Sequence, residues 1–302
     1  MIRFLKSYML PIAMCLGILF YKFFTQLSAI TPYLIFAMLF ITYCKISIKE
    51  IRFEKFHFYL LSIQLFGSIA VYLALAGINP LVAQGSMICL LAPTATSAAV
   101  ITGMLGGSIA SLTAYSILSN LCVAIFAPII FSFIGEHTDM TFFQSFLYIL
   151  KEVFPLLILP LVLAFLLEKL APKVKSKIEA LHGWSFYLWA LALTIVVAKT
   201  VSFVMKQSVS NYTIEIAMAA CTFVICIGQF IAGRKIGSRY GKTVTGGQGL
   251  GQKNTVLTIW MALSYLDPIS SVGPGAYVLW QNMVNSYQLW RKQRQSKSST
   301  QS

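Results

Sequence analysis

The chain has 302 residues, of which 58% are hydrophobic and only 11% charged, with a mean hydropathy of +0.77. A soluble domain carries about 25% charged residues, so a soluble enzyme or scaffold is excluded and an all-α polytopic membrane protein is expected. The net charge of +14 would suit a nucleic-acid binder, but the basic residues gather in short segments between apolar runs, which reports topology instead.

Ten spans are expected, near residues 7–25, 29–45, 57–78, 80–105, 107–135, 145–167, 183–205, 211–233, 241–266 and 270–291. Eighteen of the 23 Lys and Arg then fall on one side, in the segments Arg3–Lys6, Lys45–Lys55, Lys169–Lys177, Arg234–Lys242 and Arg291–Lys297. The opposite loops hold Lys22, Lys199 and Lys206 beside the acidic Glu136, Asp139 and Asp267. This is the positive-inside pattern. It predicts a multi-pass protein of a bacterial-type inner membrane with both termini cytoplasmic. Arg3 and Lys6 precede an apolar run with no small-residue cleavage site, so that run reads as a span and not as a cleaved signal. The six cysteines lie in or at the ends of spans, none with a His at ligand spacing, and read as small packed residues.

In chain order, the third span is apolar except for Gln64, a residue type that often bonds helix to helix. The fourth is interrupted at Pro93-Thr94-Ala95-Thr96-Ser97. Pro93 removes a helix hydrogen bond and disfavours helix at Ala92, and three hydroxyls follow at once. On the fifth span Ser108, Ser111, Tyr115 and Ser119 recur on one helix face, with Ser116 and Asn120 beside them. This face reads as close packing or as a polar lining. Lys151 and Glu152 enter the sixth span at headgroup level, and Trp184 to Trp189 form an interfacial belt on the seventh. Glu215 lies one turn inside the eighth. The tenth carries Gln281, Asn282, Asn285 and Gln288, more amides than a lipid-facing helix tolerates.

The ninth span holds Gly246-Gly247-Gln248-Gly249-Leu250-Gly251-Gln252-Lys253-Asn254. Lys253 lies roughly 18 Å from one end of the span and roughly 20 Å from the other, at ~1.5 Å per residue. An ammonium at that depth costs about 2.5–3.5 kcal/mol on insertion scales. The glycines are expected to loosen the helix, exposing backbone groups that must be buried in protein or line a polar cavity. Residues 1–135 and 141–291 thus share one plan, a broken fourth span followed by a polar fifth, with 292–302 as a cytoplasmic tail. Each half has an odd number of spans, so the second is inverted relative to the first, and paired interrupted spans in inverted halves point to a transporter's site.

These residues resemble the bile acid:sodium symporter family. Pro93 to Val100 with Leu105-Gly106-Gly107 is similar to that family's fourth-span Pro-Gly-Gly-Thr-x-Ser-Asn-Val and Gly-Asp. Gly251-Gln252-Lys253-Asn254-Thr255 resembles its ninth-span Glu-x-Gly-x-Gln-Asn, Gln64-Leu65-Phe66-Gly67 its third-span Gln-Phe-Gly, and Ala276 to Asn282 its tenth span. The resemblance implies a panel domain (spans 1, 2, 6, 7) and a core domain (spans 3–5, 8–10), with spans 4 and 9 crossing at their breaks. It also marks departures. The family's Ser-Asn is Ala98-Ala99 here, its span-9 glutamate aligns with Gly249 and its glutamine with Lys253, and those positions carry sodium ligands in the family. The arsenite exporters related to it have a Cys where this chain has Thr94.

The expected function is therefore secondary transport of a small organic anion by alternating access, without sodium and with no cofactor. The anion would be bound by Thr94, Thr96, Ser97, Gln252, Lys253, Asn254 and Asn282. Gln64, Ser111, Ser116, Ser119, Asn120 and Gln248 would line an ion or polar path. If Lys253 loses its proton during the cycle, transport couples to protons; if it keeps it, the protein is a uniporter or exchanger. The alternatives are a sodium- or proton-coupled antiporter of the same architecture and, more distantly, a channel or sensor. No enzyme is expected, because His57, His137 and His182 lie at or outside span ends and no nucleophile–base pair is suggested. The partners are the anion and the bilayer, with no nucleic acid and no obligate protein partner.

Overall fold

The computed structural model describes residues 2–47, 51–95, 97–135, 140–206 and 212–300. Thr96, Lys49, Glu136, His137 and Asp139, which the sequence reading uses, lie outside the described residues. Every regular element among the described residues is a helix: α1 (Ile2–Leu19), α2 (Tyr21–Phe24), α3 (Thr31–Tyr43), α4 (Lys55–Ala76), α5 (Pro80–Leu91), α6 (Ala98–Met104), α7 (Ile109–Ile134), α8 (Phe142–Leu170), α9 (Pro172–Ala180), α10 (His182–Lys206), α11 (Tyr212–Ser238), α12 (Thr243–Gly251), α13 (Thr255–Tyr265) and α14 (Val272–Thr300). Short 3-10 turns at Thr25–Ile30 and Pro268–Ser271 complete the series. Six stretches are long and apolar enough to cross a membrane: Tyr21–Tyr43, Lys55–Ala76, Ile109–Ile134, Phe142–Leu170, Tyr187–Met205 and Tyr212–Ser238. The chain is a polytopic helical membrane protein. The expected first and last spans are helical as α1 and α14 but fall outside that set. The expected fourth and ninth are each two short helices, α5 with α6 and α12 with α13.

Local chemistry sets the helix ends. Asn79 caps α5 by accepting from the Val82 N–H, with Pro80 in the first turn where its missing N–H costs nothing. Thr141 and Gln144 close a reciprocal cap on α8. At α4 the partners are Glu54 and His57, whose side chains each take a backbone N–H of the other residue's turn.

The chain forms two compact units. The first comprises residues 1–50, 124–215 and 256–272. Here α10 packs on α1 and α3, and α3 packs on α8. A side chain at Gly17 would meet the Thr194 carbonyl at 2.7 Å, so α1 and α10 run close together. Lys175 of α9 donates to Glu168 of α8 and to the Ile46 carbonyl, which ties the α8–α9 turn to the end of α3.

The second unit comprises residues 51–123, 216–255 and 273–302. In it α4 packs along α5, and α12 packs on α4 and α6. One expectation is corrected here. The glycines of residues 246–251 do not loosen the chain; α12 stays helical through Gly251, and the break falls at Gln252–Asn254. The reason is steric. A Cβ on Gly246 would strike the Gly233 carbonyl, and one on Gly233 would strike Gly246, so the glycines let α11 and α12 meet backbone to backbone. That packing holds as helix a stretch whose composition alone would fray.

Candidate functional site

Within the second unit two of the non-helical stretches, Ala92–Ala95 and Gln252–Asn254, meet. The Ala95 N–H donates to the Gln252 carbonyl (2.9 Å) and the Asn254 N–H to the Pro93 carbonyl (2.8 Å). Each break supplies what the other lacks.

A helix end leaves its last four carbonyls without partners. At the end of α5 side chains from other elements take all four. Gln229 of α11 donates to Cys89 O (3.4 Å), and Lys253 Nζ to Leu90 O (2.9 Å) and Ala92 O (2.9 Å). Gln64 of α4 donates to Leu91 O (2.8 Å) and Ala92 O (3.1 Å). Pro93 creates this demand, because it has no N–H for Cys89 O. An ammonium at the carbonyl end of a helix also meets the negative pole of its dipole. Lys253 is among the largest fully buried side chains, at 1% exposure. The end of α12 is served in the same way, Gly249 O by the Thr94 hydroxyl (2.8 Å) and Gly251 O by the Tyr277 hydroxyl (2.8 Å).

The structure thus brings Thr94, Ser97, Gln252, Lys253 and Asn254 together. Gln252 Nε2 donates to the exposed Ser97 hydroxyl (2.9 Å), while its Oε1 is buried without a partner among the described residues. Asn282 is not in this group: its side chain donates to Val278 O in its own helix (2.6 Å). Its neighbour Gln281 is there instead, accepting from the Lys253 N–H (2.8 Å) and donating to the Lys253 carbonyl (3.3 Å). The residues one position apart on α14 point about 100° apart, and sequence alone does not fix that phase.

Of the residues read as a polar lining, Gln64 and Ser119 join the cluster. Gln64 Oε1 accepts from the Tyr115 and Ser119 hydroxyls, both at 2.8 Å. Gln248 lies farther along α12 and donates to Asn285 (2.9 Å). Asn120 donates to the Ser116 carbonyl in its own helix, and neither side chain reaches Gln64. Ser111 sits in a separate group with Lys242, Glu54 and His57.

His57, expected at a span end, is fully buried, and its Nε2 lies 3.0 Å from Ser111 Oγ. This resembles a nucleophile–base pair that the sequence did not suggest. The tautomer argues otherwise: Nδ1 accepts from the Glu54 N–H (3.1 Å), so Nε2 carries the proton and donates it to Ser111. A general base would need the reverse.

Nothing matches among curated proteins. A model of the Sodium Bile acid symporter family matches residues 56–207, half of the chain, from α4 through α10. With that match, and with α5 broken at the residues that carried the resemblance, the chain belongs to the sodium bile acid symporter family.

Proposed function

We propose that the chain is a secondary transporter of a small organic anion that works by alternating access and without sodium, with Lys253 in the place of a coupling cation. Membership of a symporter family supports transport over catalysis. The reciprocal bonding of the α5 and α12 ends supports two inverted repeats of five helices, 1–135 and 141–291, crossing at their fourth spans.

The observation that carries the coupling is the contact of Lys253 Nζ with Leu90 O and Ala92 O. A sodium ion needs oxygen donors, and these carbonyls already receive N–H groups of a fixed positive charge. A second cation beside the ammonium is repelled. Two of the three ammonium protons are used, which leaves one for an anionic solute. The exposed Ser97 hydroxyl and Oε1 of Gln252, which has no partner among the described residues, give polar selectivity at the same place.

Counterflow of a panel of radiolabelled carboxylates in proteoliposomes tests this. Trans-acceleration of at least one carboxylate, at equal rates in sodium, potassium and choline media, is expected. Lys253→Ala and Lys253→Gln are expected to abolish it. Strict sodium dependence of the wild type, or full activity in both variants, overturns the reading. The same uptake measured across pH separates uniport from proton coupling.

A further inference from the structure

Glu152 of α8 is an exposed carboxylate on a helix otherwise rich in Phe, Leu and Val. Among the described residues no cation pairs with it. Its partner among the described residues is the Tyr265 hydroxyl, which donates to Oε2 at 2.7 Å. Tyr265 is itself held by ring contacts with Phe131, Tyr148 and Trp260, so the carboxylate is positioned and not merely tolerated. An ionisable side chain in a membrane helix is costly to place and calls for a partner.

The carboxylate opens onto a cavity of about 340 Å³ lined also by Pro32, Tyr33, Phe36, Leu159 and Trp260. Leu159 lies roughly 10 Å farther along α8, so the cavity is an apolar groove with one charged end. Across Pro155 a second groove of about 470 Å³ is lined by Lys151 with Phe146, Leu150 and Phe154. A calcium or magnesium ion is a poor occupant, because it wants six or more oxygens and finds one carboxylate and a phenol. Aromatic faces beside a carboxylate suit an organic ammonium. The apolar length beneath suits a hydrocarbon chain attached to it, and the Lys151 ammonium on the neighbouring flank suits a phosphate.

We propose that this face of the first unit is a binding site for an aminophospholipid of the ethanolamine type, with its ammonium on Glu152, its phosphate toward Lys151 and an acyl chain along Pro155–Leu159. The site is separate from the transport reading and stands or falls without it.

Native mass spectrometry of the purified full chain, titrated with phosphatidylethanolamine or phosphatidylglycerol of matched chains, tests the site. The wild type is expected to retain the ethanolamine lipid preferentially. Glu152→Gln is expected to weaken that retention about tenfold, to the level of the glycerol lipid, which corresponds to one charge-assisted contact. Leu159→Trp, which fills the groove and leaves the charge alone, is expected to weaken it as well, and reads the same site if Glu152→Gln fails to fold. Equal retention of both lipids by the wild type, or unchanged retention in both variants, overturns the proposal. So does displacement of the lipid by phosphoethanolamine at matched concentration, which would mark a pocket for a soluble cation.

Discussion

Thr94 and Lys253 pair as an isolated antiparallel β-bridge, two extended residues set among helices. Each lies just past the end of its own helix, α5 and α12. Some of the backbone groups that a continuing helix would satisfy are satisfied by the partner break and others by Gln64, Gln229, Tyr277 and Gln281, and the Lys253 side chain continues past the bridge to reach back to Leu90 and Ala92.

Removing the ammonium should therefore cost stability as well as transport. Lys253→Met keeps the stem and loses the donors, leaving Leu90 O without the partner it has now. An orphaned buried acceptor costs about 1–3 kcal/mol. A fall in the thermal midpoint of detergent-purified protein is expected, and an unchanged midpoint would show that Lys253 does not cap α5.

Gln64 joins α4, α5 and α7 through four hydrogen bonds. Gln64→Leu should destabilise by about 3 kcal/mol, since it orphans donors and acceptors on both sides. Tyr115→Phe removes one of those bonds and should cost about 1 kcal/mol. In the double variant the Tyr115 substitution should add almost nothing, because its partner is already gone. Simple additivity in denaturation measurements would contradict the network.

Gly246→Ala places a methyl group against the Gly233 carbonyl and should prevent α11 and α12 from closing. A Cβ at Gly228, also on α11, meets nothing within 4 Å. Gly228→Ala should be neutral, or stabilising by up to about 1 kcal/mol through helix propensity. Comparable loss of folded protein in both variants would remove the close contact as the cause.

Cysteines introduced at Met140 and Ser176, both exposed, test the orientation read from the basic segments. In a cysteine-free background, impermeant maleimide is expected to label position 140 in intact cells and position 176 only after permeabilisation. Labelling of both in intact cells would contradict the ten-span topology.

Much of this was legible in the sequence. A proline followed by hydroxyls inside an apolar run, and a lysine far from either end of another, locate both breaks without any structure. What stayed hidden was phase and depth. Asn282 and Gln281 are equally polar, and only the rotation of α14 decides which one meets Lys253. His57 sits at the start of α4, where exposure to water is the ordinary expectation, yet Phe56, Tyr115 and Ser111 enclose it. The glycines of α12 misled for a related reason. Their freedom belongs to an isolated chain, and the facing glycine of α11 removes it.

The contact between Gly233 and Gly246 also limits how the molecule can change shape. Interfaces built from side chains can switch by swapping rotamers, and so can hold two registers of similar energy. Main chain against main chain has no such second setting. α11 and α12 are therefore geared as one lever at that contact, and a bend between α12 and α13 falls at Gln252–Asn254, where hydrogen bonds to the Pro93 segment and to Gln281 hold the chain.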